Sequence, residues 1–218
     1  MATPIEIVTL DLDQPEVVVT ALDAELPDAE RTGRAELRVA RAAMRQVLGR
    51  AIGIAPADLL ISRTCAHCGH PSHGKPVVVG QPLTFSLSHS HTLGVLAMSP
   101  DGAAIGVDVE QLRPRRHLDR LAARTMTAAE LGAWGARPEA QQLRAFLDVW
   151  ARKEAYLKAL GLGLAADLRT TELQQDDWTI AAIDAASGYC AALAVDEPEI
   201  DLTISAWTPR HVQDVRSQ

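Results

Sequence analysis

Three segments of residues 83–112, "LTFSLSHS" (83–90), "LGVLAMS" (93–99) and "AAIGVDVEQL" (103–112), follow one another with only short turns between them. This pattern predicts strands joined as an antiparallel meander. Upstream, "IEIVTLDLD" (5–13) alternates apolar and polar residues and reads as another strand. Residues 30–51 read as a helix with Leu37, Ala40, Met44, Val47 and Leu48 on one face. "DLLISR" (58–63) is a further strand. Downstream come helical stretches at about 117–134 and 139–161, then strand patterns in "TTELQ", "WTIAAI", "YCAALAV" and "LTISAW". The order strand, helix, strands thus occurs twice. It predicts an α+β chain in two halves, 1–102 and 103–218, although no residue-level repeat accompanies it.

The chain has 218 residues, 47% of them hydrophobic and 22% charged, enough for one large domain or two small subdomains with a buried core. Its net charge of −7 argues against bulk nucleic-acid binding and against adsorption to an anionic membrane. A small anion is not excluded. The helix over 30–51 carries Arg31, Arg34, Arg38, Arg41, Arg45 and Arg50 with few acids between them; this is either a solvated face or an anion-binding one. The start "MATPIEIVTLDLD" lacks the basic and apolar regions of a secretory signal. No apolar run approaches the roughly 18 residues of a membrane span. Three cysteines make no disulfide framework, so the cytoplasm is expected.

Four stretches carry chemistry. In "IGVDVE", alternate side chains share a strand face, so Ile105, Val107 and Val109 point into a core while Gly106, Asp108 and Glu110 point the other way. Two carboxylates side by side repel unless a cation lies near. They read either as an acidic edge face or as an Mg²⁺ site with Gly106 leaving room beside it. In "WARKEAYLKALGLG" (150–163), Trp150, Glu154 and Lys158 recur every four residues along one helical stripe. Leu147, Leu157 and Leu160 mark the buried side next to it, and Gly161 and Gly163 suit a helix end. A tryptophan on the stripe of an otherwise ordinary ion pair suggests the border of a cleft. "FSLSHSH" places Ser88, His89 and Ser90 at a strand end, and "GKP" (74–76) holds Lys75 in a turn before Pro76. A fifth cluster, Cys65, His67, Cys68, His70 and His73, is either a structural zinc site or a reduced thiol pair among exposed histidines. All five fall within nine residues, which would strain a single tetrahedral site.

The ordered set "HGKP", "FSLSHS", "IGVDVE" and "FLDVWARKEAYLKALGLGL" resembles the 4′-phosphopantetheinyl transferases of the Sfp type. The resemblance implies two similar α+β halves related by a pseudo-twofold, with the active site in the cleft between them. The first half would take the coenzyme A adenosine and 3′-phosphate, and the second would carry the metal carboxylates. It also implies transfer of 4′-phosphopantetheine from coenzyme A to a serine of an apo acyl or peptidyl carrier protein, with Mg²⁺, releasing 3′,5′-ADP. On the matching positions, Asp108, Glu110 and Glu154 would hold Mg²⁺, and Lys158 and His89 would meet the pyrophosphate or the 3′-phosphate. Lys75, Pro76 and Ser88 would seat the adenosine 3′-phosphate end. Glu154 would also be placed to accept the serine proton, directly or through water. For the basic residues that bind the 3′-phosphate, Arg31, Arg34, Arg38 and Arg41 are nominated as a set. Lys153 and Trp150 belong to the motif, Trp150 as a packing residue.

Two other classes compete: a Mg²⁺-dependent phosphohydrolase acting on a nucleotide, and a zinc-bearing binding module. Polyketide, nonribosomal peptide and fatty-acid carriers all present a serine at a helix start, so the carrier and pathway are left open, with secondary metabolism the expected setting. A docking surface is expected near 117–135, where Leu118, Leu121 and Met126 are either contact or core residues. Two halves in one chain remove the need for a dimer, so a monomer is expected.

Overall fold

The computed structural model describes residues 2–64, 69–70, 74–162, 166–173 and 176–209. The first part runs β1 (Thr3–Asp11), α1 (Glu16–Asp23), α2 (Ala35–Ile52), β2 (Ile61–Ser62), β3 (Val77–Val78), β4 (Thr84–Ser90) and β5 (Leu93–Ser99). The second runs β6 (Ile105–Gln111), α3 (Leu118–Thr125), α4 (Ala128–Gly135), α5 (Glu139–Leu160), β7 (Thr179–Ile183), β8 (Tyr189–Val195) and β9 (Ile200–Ala206). The α+β class expected from the sequence is observed.

Hydrophobic alternation explains the layering. One face of β1 presents Val8 and Leu10, with Leu12 just beyond the strand, to a core shared with α1 and α2, where Val39, Ala40, Met44 and Leu48 are buried. The other face presents Ile5 and Ile7, which meet Val95 and Ala97 of β5 together with Ile105, Val107 and Val109 of β6 and Leu193 of β8. Two sheets therefore pack face to face, ordered β4-β5-β1-β9 and β6-β8-β7. Helix α5 covers the outer face of the second sheet. Its buried stripe is Ala151, Ala155 and Ala159 against Ala192 and Ala194, alongside Leu147 and Leu157. Leu160, expected on that buried side, is 42% exposed. Alanines let helix and sheet backbones approach closely, and a leucine there would hold them apart.

Several local expectations change. Strands β4 and β5 pair as a hairpin, but β5 then pairs with β1, while β6 leaves to pair with β8 in the second sheet. The meander ends because the apolar face of β6 is buried between the sheets. "LTISAW" forms β9, which adds to β1 in parallel, and Trp207 beyond it donates from its indole to Gln46 Oε1 at 3.0 Å. "TTELQ" is not a strand among the described residues: Leu168–Thr170 is a 3-10 turn, and Gln174 lies outside them. The expected helix over 117–134 breaks at Met126, because Thr127 caps α4 in a reciprocal capping box with Glu130. Helix α2 starts at Ala35, and Asp28–Glu30 is a separate 3-10 turn. Met126 belongs to the core, whereas Leu121 is 36% exposed. No helix among the described residues is long and apolar enough to cross a membrane.

Two buried charges were not foreseen. Arg45 is buried rather than solvated and forks onto both carboxylate oxygens of Glu30 at 3.0 and 2.6 Å, while also donating to the carbonyls of Pro56 and Leu59. Lys153 is 0% exposed, and its ammonium meets Glu130 at 2.6 Å and the carbonyls of Thr125 and Leu168 at 3.0 and 2.6 Å. A buried ammonium needs such a full set of acceptors. Lys153 thereby ties α5 to α3, α4 and the 3-10 turn, and orients the helix that carries Glu154 and Lys158.

Candidate active site

The two sheets meet along two edge strands, β4 and β6, and the serines of "FSLSHS" are what join them. Ser86 Oγ accepts from the Val107 amide at 3.1 Å, Ser88 Oγ donates to Asp108 Oδ1 at 2.9 Å, and Ser90 Oγ accepts from the Gln111 amide at 3.1 Å. Spacing by two puts all three on the face of β4 turned to β6. The motif had suggested Ser88; the paired roles of Ser86 and Ser90 need the neighbouring strand to be known.

On β6, Gly106, Asp108 and Glu110 share the face turned to α5. The sequence suggests that Gly106 leaves room for a metal; the space is instead filled by the backbone of α5. A Cβ there would stand 1.9 Å from the Ala155 carbonyl oxygen and 2.6 Å from the Ala159 amide nitrogen. Glycine is required so that α5 can lie against the strand, which brings Glu154 and Lys158 over Asp108.

Asp108 is 5% exposed and Glu154 8% exposed. Lys158 does not spend its charge on Glu154 one turn away. Its ammonium contacts Asp108 Oδ1 at 2.6 Å, Ser88 Oγ at 2.9 Å and the Val107 carbonyl at 3.1 Å. The second oxygen of Asp108, Oδ2, and Glu154 Oε1 are buried without a hydrogen-bond partner. Burial, and after it the negative charge of Asp108, pushes the Glu154 carboxyl above its ordinary pKa; Lys158 opposes this and Glu110 adds to it. Glu110 is held by Arg115 at 2.6 Å. Two orphaned, buried carboxylate oxygens next to a third acid fit a hard divalent cation, since each lacks only a positive partner. Among the described residues no three acidic, His or Cys side chains already converge as a coordination group. Magnesium does not need one, because it typically takes one or two carboxylates and keeps water or phosphate oxygens for the rest.

Beside these acids lies a cavity of about 460 Å³, lined by residues from α2 to β4 and by Lys158 and Gly161 at the end of α5. Lys75, Pro76, Ser88, His89 and Lys158 all line it, so five residues named from the sequence meet there. Leu37, Met44 and Phe85 supply an apolar wall. Lys75 donates to the Ala159 carbonyl at 3.0 Å, near the C-terminal end of α5, and burial pushes its ammonium pKa below the usual lysine value. Gly161 ends the helix with φ 71°, while Gly163 lies outside the described residues. Trp150 packs on Phe146 and, with Glu110, Arg115 and Leu121, lines a smaller groove of about 150 Å³. The stripe Trp150–Glu154–Lys158 thus runs from one recess to the other, with Glu154 buried in between.

The nominated arginines are not among the residues lining the cavity. Arg38 pairs with Asp23, Arg31 pairs with Asp28 and donates to the Leu26 carbonyl, and Arg41 donates to the carbonyls of Glu30 and Thr32. Arg34 is exposed at the N-cap of α2. The arginine that lines the cavity is Arg63, which sequence reasoning missed. Strands β2 and β3 pair Ser62 with Val77, and the Gly74 amide donates to the Arg63 carbonyl at 2.7 Å, which sets Arg63 beside the "GKP" turn. The available signal was an arginine closing a strand that precedes that turn. Cys190 faces Glu110 across the β6–β8 ladder, but burial, and then Asp148, pushes its thiol up to about 12, so it is no nucleophile near neutrality. The possible zinc ligands Cys65, His67, Cys68 and His73 lie outside the described residues.

Two packed sheets flanked by helices thus carry buried carboxylates beside a cavity lined by Arg63, Lys75, His89 and Lys158, a setting suited to an anionic ligand. The profile of the 4′-phosphopantetheinyl transferase superfamily matches residues 104–204. The chain is 32% identical to the 4′-phosphopantetheinyl transferase AcpT of Salmonella typhimurium over 196 residues, 88% of each chain. It is 32% identical to the 4′-phosphopantetheinyl transferase HetI of a Nostoc species over 169 residues, 72% of this chain and 68% of that one. A 4′-phosphopantetheinyl transferase of Bacillus subtilis is 28% identical over 163 residues, 74% of this chain and 66% of that one. The chain belongs to the 4′-phosphopantetheinyl transferase superfamily.

Proposed function

We propose that the chain moves 4′-phosphopantetheine from coenzyme A to a serine hydroxyl of an apo acyl or peptidyl carrier protein and releases 3′,5′-ADP. The observation that carries this reading is the pair of buried, unpartnered oxygens on Asp108 and Glu154, set beside a cavity lined by Arg63, Lys75, His89 and Lys158. Asp108, Glu110 and Glu154 would hold Mg²⁺, whose part is to neutralise charge on the pyrophosphate. Lys158 sits at the junction of the acids and the cavity, where its ammonium can stabilise charge that shifts to the leaving phosphate. His89 reaches the same cavity from β4. Glu154 would also be placed to take the serine proton, directly or through water, but a carboxylate bound to Mg²⁺ is a weak base, so this role ranks below its role as ligand. The α+β halves would act as a pseudo-twofold pair with the site in their cleft, in a monomer working in the cytoplasm. Polyketide, nonribosomal peptide and fatty-acid carriers are all candidate acceptors.

The test combines the purified chain, coenzyme A, Mg²⁺ and a panel of apo carriers, read by intact mass and by 3′,5′-ADP release. A pantetheine-sized mass gain only with a carrier serine present is expected. Release of nucleotide without a carrier would instead favour a hydrolase, and no gain on any carrier would sink the reading.

For the 3′-phosphate we assign Arg63, with Lys75 and His89, in place of Arg31, Arg34, Arg38 and Arg41. Arg63→Ala should weaken coenzyme A binding about tenfold, as expected for loss of one charge-assisted contact. Arg38→Ala should leave that affinity nearly unchanged while lowering stability. Titration calorimetry of coenzyme A against both variants checks the assignment; the reverse order of effects would overturn it.

A further inference from the structure

We propose that Ser90 and Arg115 are positioning residues that clamp Glu110, in the way that Ser88 and Lys158 clamp Asp108. The proposal rests on the reading of Asp108, Glu110 and Glu154 as metal carboxylates. Asp108 receives a serine hydroxyl at 2.9 Å and an ammonium at 2.6 Å, and both contact the same oxygen, Oδ1. Two residues further along both strands the arrangement repeats. Ser90 Oγ lies 3.4 Å from Glu110 Oε2 and Arg115 Nη2 lies 2.6 Å from that same oxygen. In each case β4 supplies a serine and a second element supplies a cation, and one carboxylate oxygen takes both donors.

The consequence is orientation. A free carboxylate rotates about its last bond and can offer either oxygen. Two donors on one oxygen hold the plane of the group and leave the other oxygen as the available ligand. On Asp108 the remaining oxygen, Oδ2, is indeed buried and unpartnered. The Ser90 hydroxyl is itself oriented, because the Gln111 amide donates to it at 3.1 Å and so directs its proton towards Glu110. Outer-sphere hydrogen bonds of this kind typically set metal affinity, since magnesium tolerates little departure from octahedral geometry. Arg115 lies outside all four sequence motifs, five residues beyond Glu110, so only the fold brings it to the site.

Mn²⁺ binding to the full chain with saturating coenzyme A, read from the electron paramagnetic resonance signal of the free ion, is the test. Coenzyme A affinity without metal and the melting temperature are measured in parallel. Ser90→Ala should weaken Mn²⁺ about tenfold, with coenzyme A affinity held within about twofold, and Ser90→Thr should recover most of the loss. Arg115→Gln gives opposite signs for the two possible roles. A bystander arginine repels the cation, so its removal would tighten Mn²⁺; a clamp predicts weakening of about tenfold despite the lost repulsion. Unchanged or tighter Mn²⁺ binding in Arg115→Gln overturns the clamp, as does a Ser90→Ala loss that Thr does not rescue or that coenzyme A affinity follows. If the parent chain binds no Mn²⁺ at all, the metal reading fails and takes the clamp with it. Normal Mn²⁺ binding with insensitive variants removes the clamp alone.

Discussion

Glu154→Gln is expected to lower transfer by about 10³-fold and at the same time to stabilise the fold. The loss would follow from removing one of the three carboxylates proposed to hold the metal. The gain follows from the same geometry. Glu154 is 8% exposed, its Oε1 is buried without a hydrogen-bond partner, and burial and Asp108 both disfavour its charge. A neutral amide escapes that repulsion and should add about 1 kcal/mol, or about 2–4 °C in melting temperature, in metal-free buffer near neutrality.

The pH dependence gives a second check. The folded carboxyl titrates above its ordinary 4.5, so between that value and the raised one the folded chain holds a proton that the unfolded chain has released. Stability from this group is therefore present in full below the ordinary value and is lost as pH rises through the raised one. Melting curves across that window should slope downward for the parent, and Glu154→Gln should lack this contribution. A variant that melts lower than the parent, with the same pH dependence, would show that Glu154 is structurally stabilising and contradict the assignment.

Gly106→Ala should be among the most damaging single-methyl changes in the chain. Its Cβ would stand 1.9 Å from the Ala155 carbonyl oxygen, which is backbone and cannot rotate away. Helix α5 would have to lift from a sheet that it contacts through alanines, with no flexible side chain to absorb the shift. A cost of about 3 kcal/mol or more is expected, roughly 6–12 °C in melting temperature. Transfer should fall further than stability explains, because Glu154 and Lys158 ride on the displaced helix. Gly132→Ala in α4 is the control. Nothing lies within 4 Å of its added methyl, so it should be neutral or slightly stabilising. Denaturant unfolding of both variants decides the matter: similar midpoints would refute the close approach of α5 to β6.

What was legible in the sequence was mostly local. The alternation in "IGVDVE" separates Val107 and Val109 from Asp108 and Glu110, because successive strand side chains point to opposite faces wherever the strand lies. Spacing by four aligned Trp150, Glu154 and Lys158 on one stripe for the same reason. The partner of each group was not legible. Lys158 was expected to face the ligand rather than Glu154 one turn away, but that its ammonium sits on Asp108, fifty residues earlier in the chain, was not legible. Arg31, Arg34, Arg38 and Arg41 were nominated as one anion-binding set, but Arg38 and Arg31 pair with Asp23 and Asp28, and the cavity is lined by Arg63 instead. Leu160 looked buried, whereas three alanines make the contact, because the tight approach at Gly106 admits nothing larger.

The sequence by itself determined most of the element types, the two faces of β6, the helix stripe and the ordered motifs that resemble one enzyme family. All of these depend on dihedral periodicity and on residue identity over short stretches. Only the tertiary structure decided that β6 leaves the meander to pair with β8, that the serines of β4 join the two sheets, and which oxygens of Asp108 and Glu154 are left without a partner. Those choices depend on which edge strands and helix faces meet across the core. That is set by the burial of many side chains far apart in the chain, and no short segment contains it.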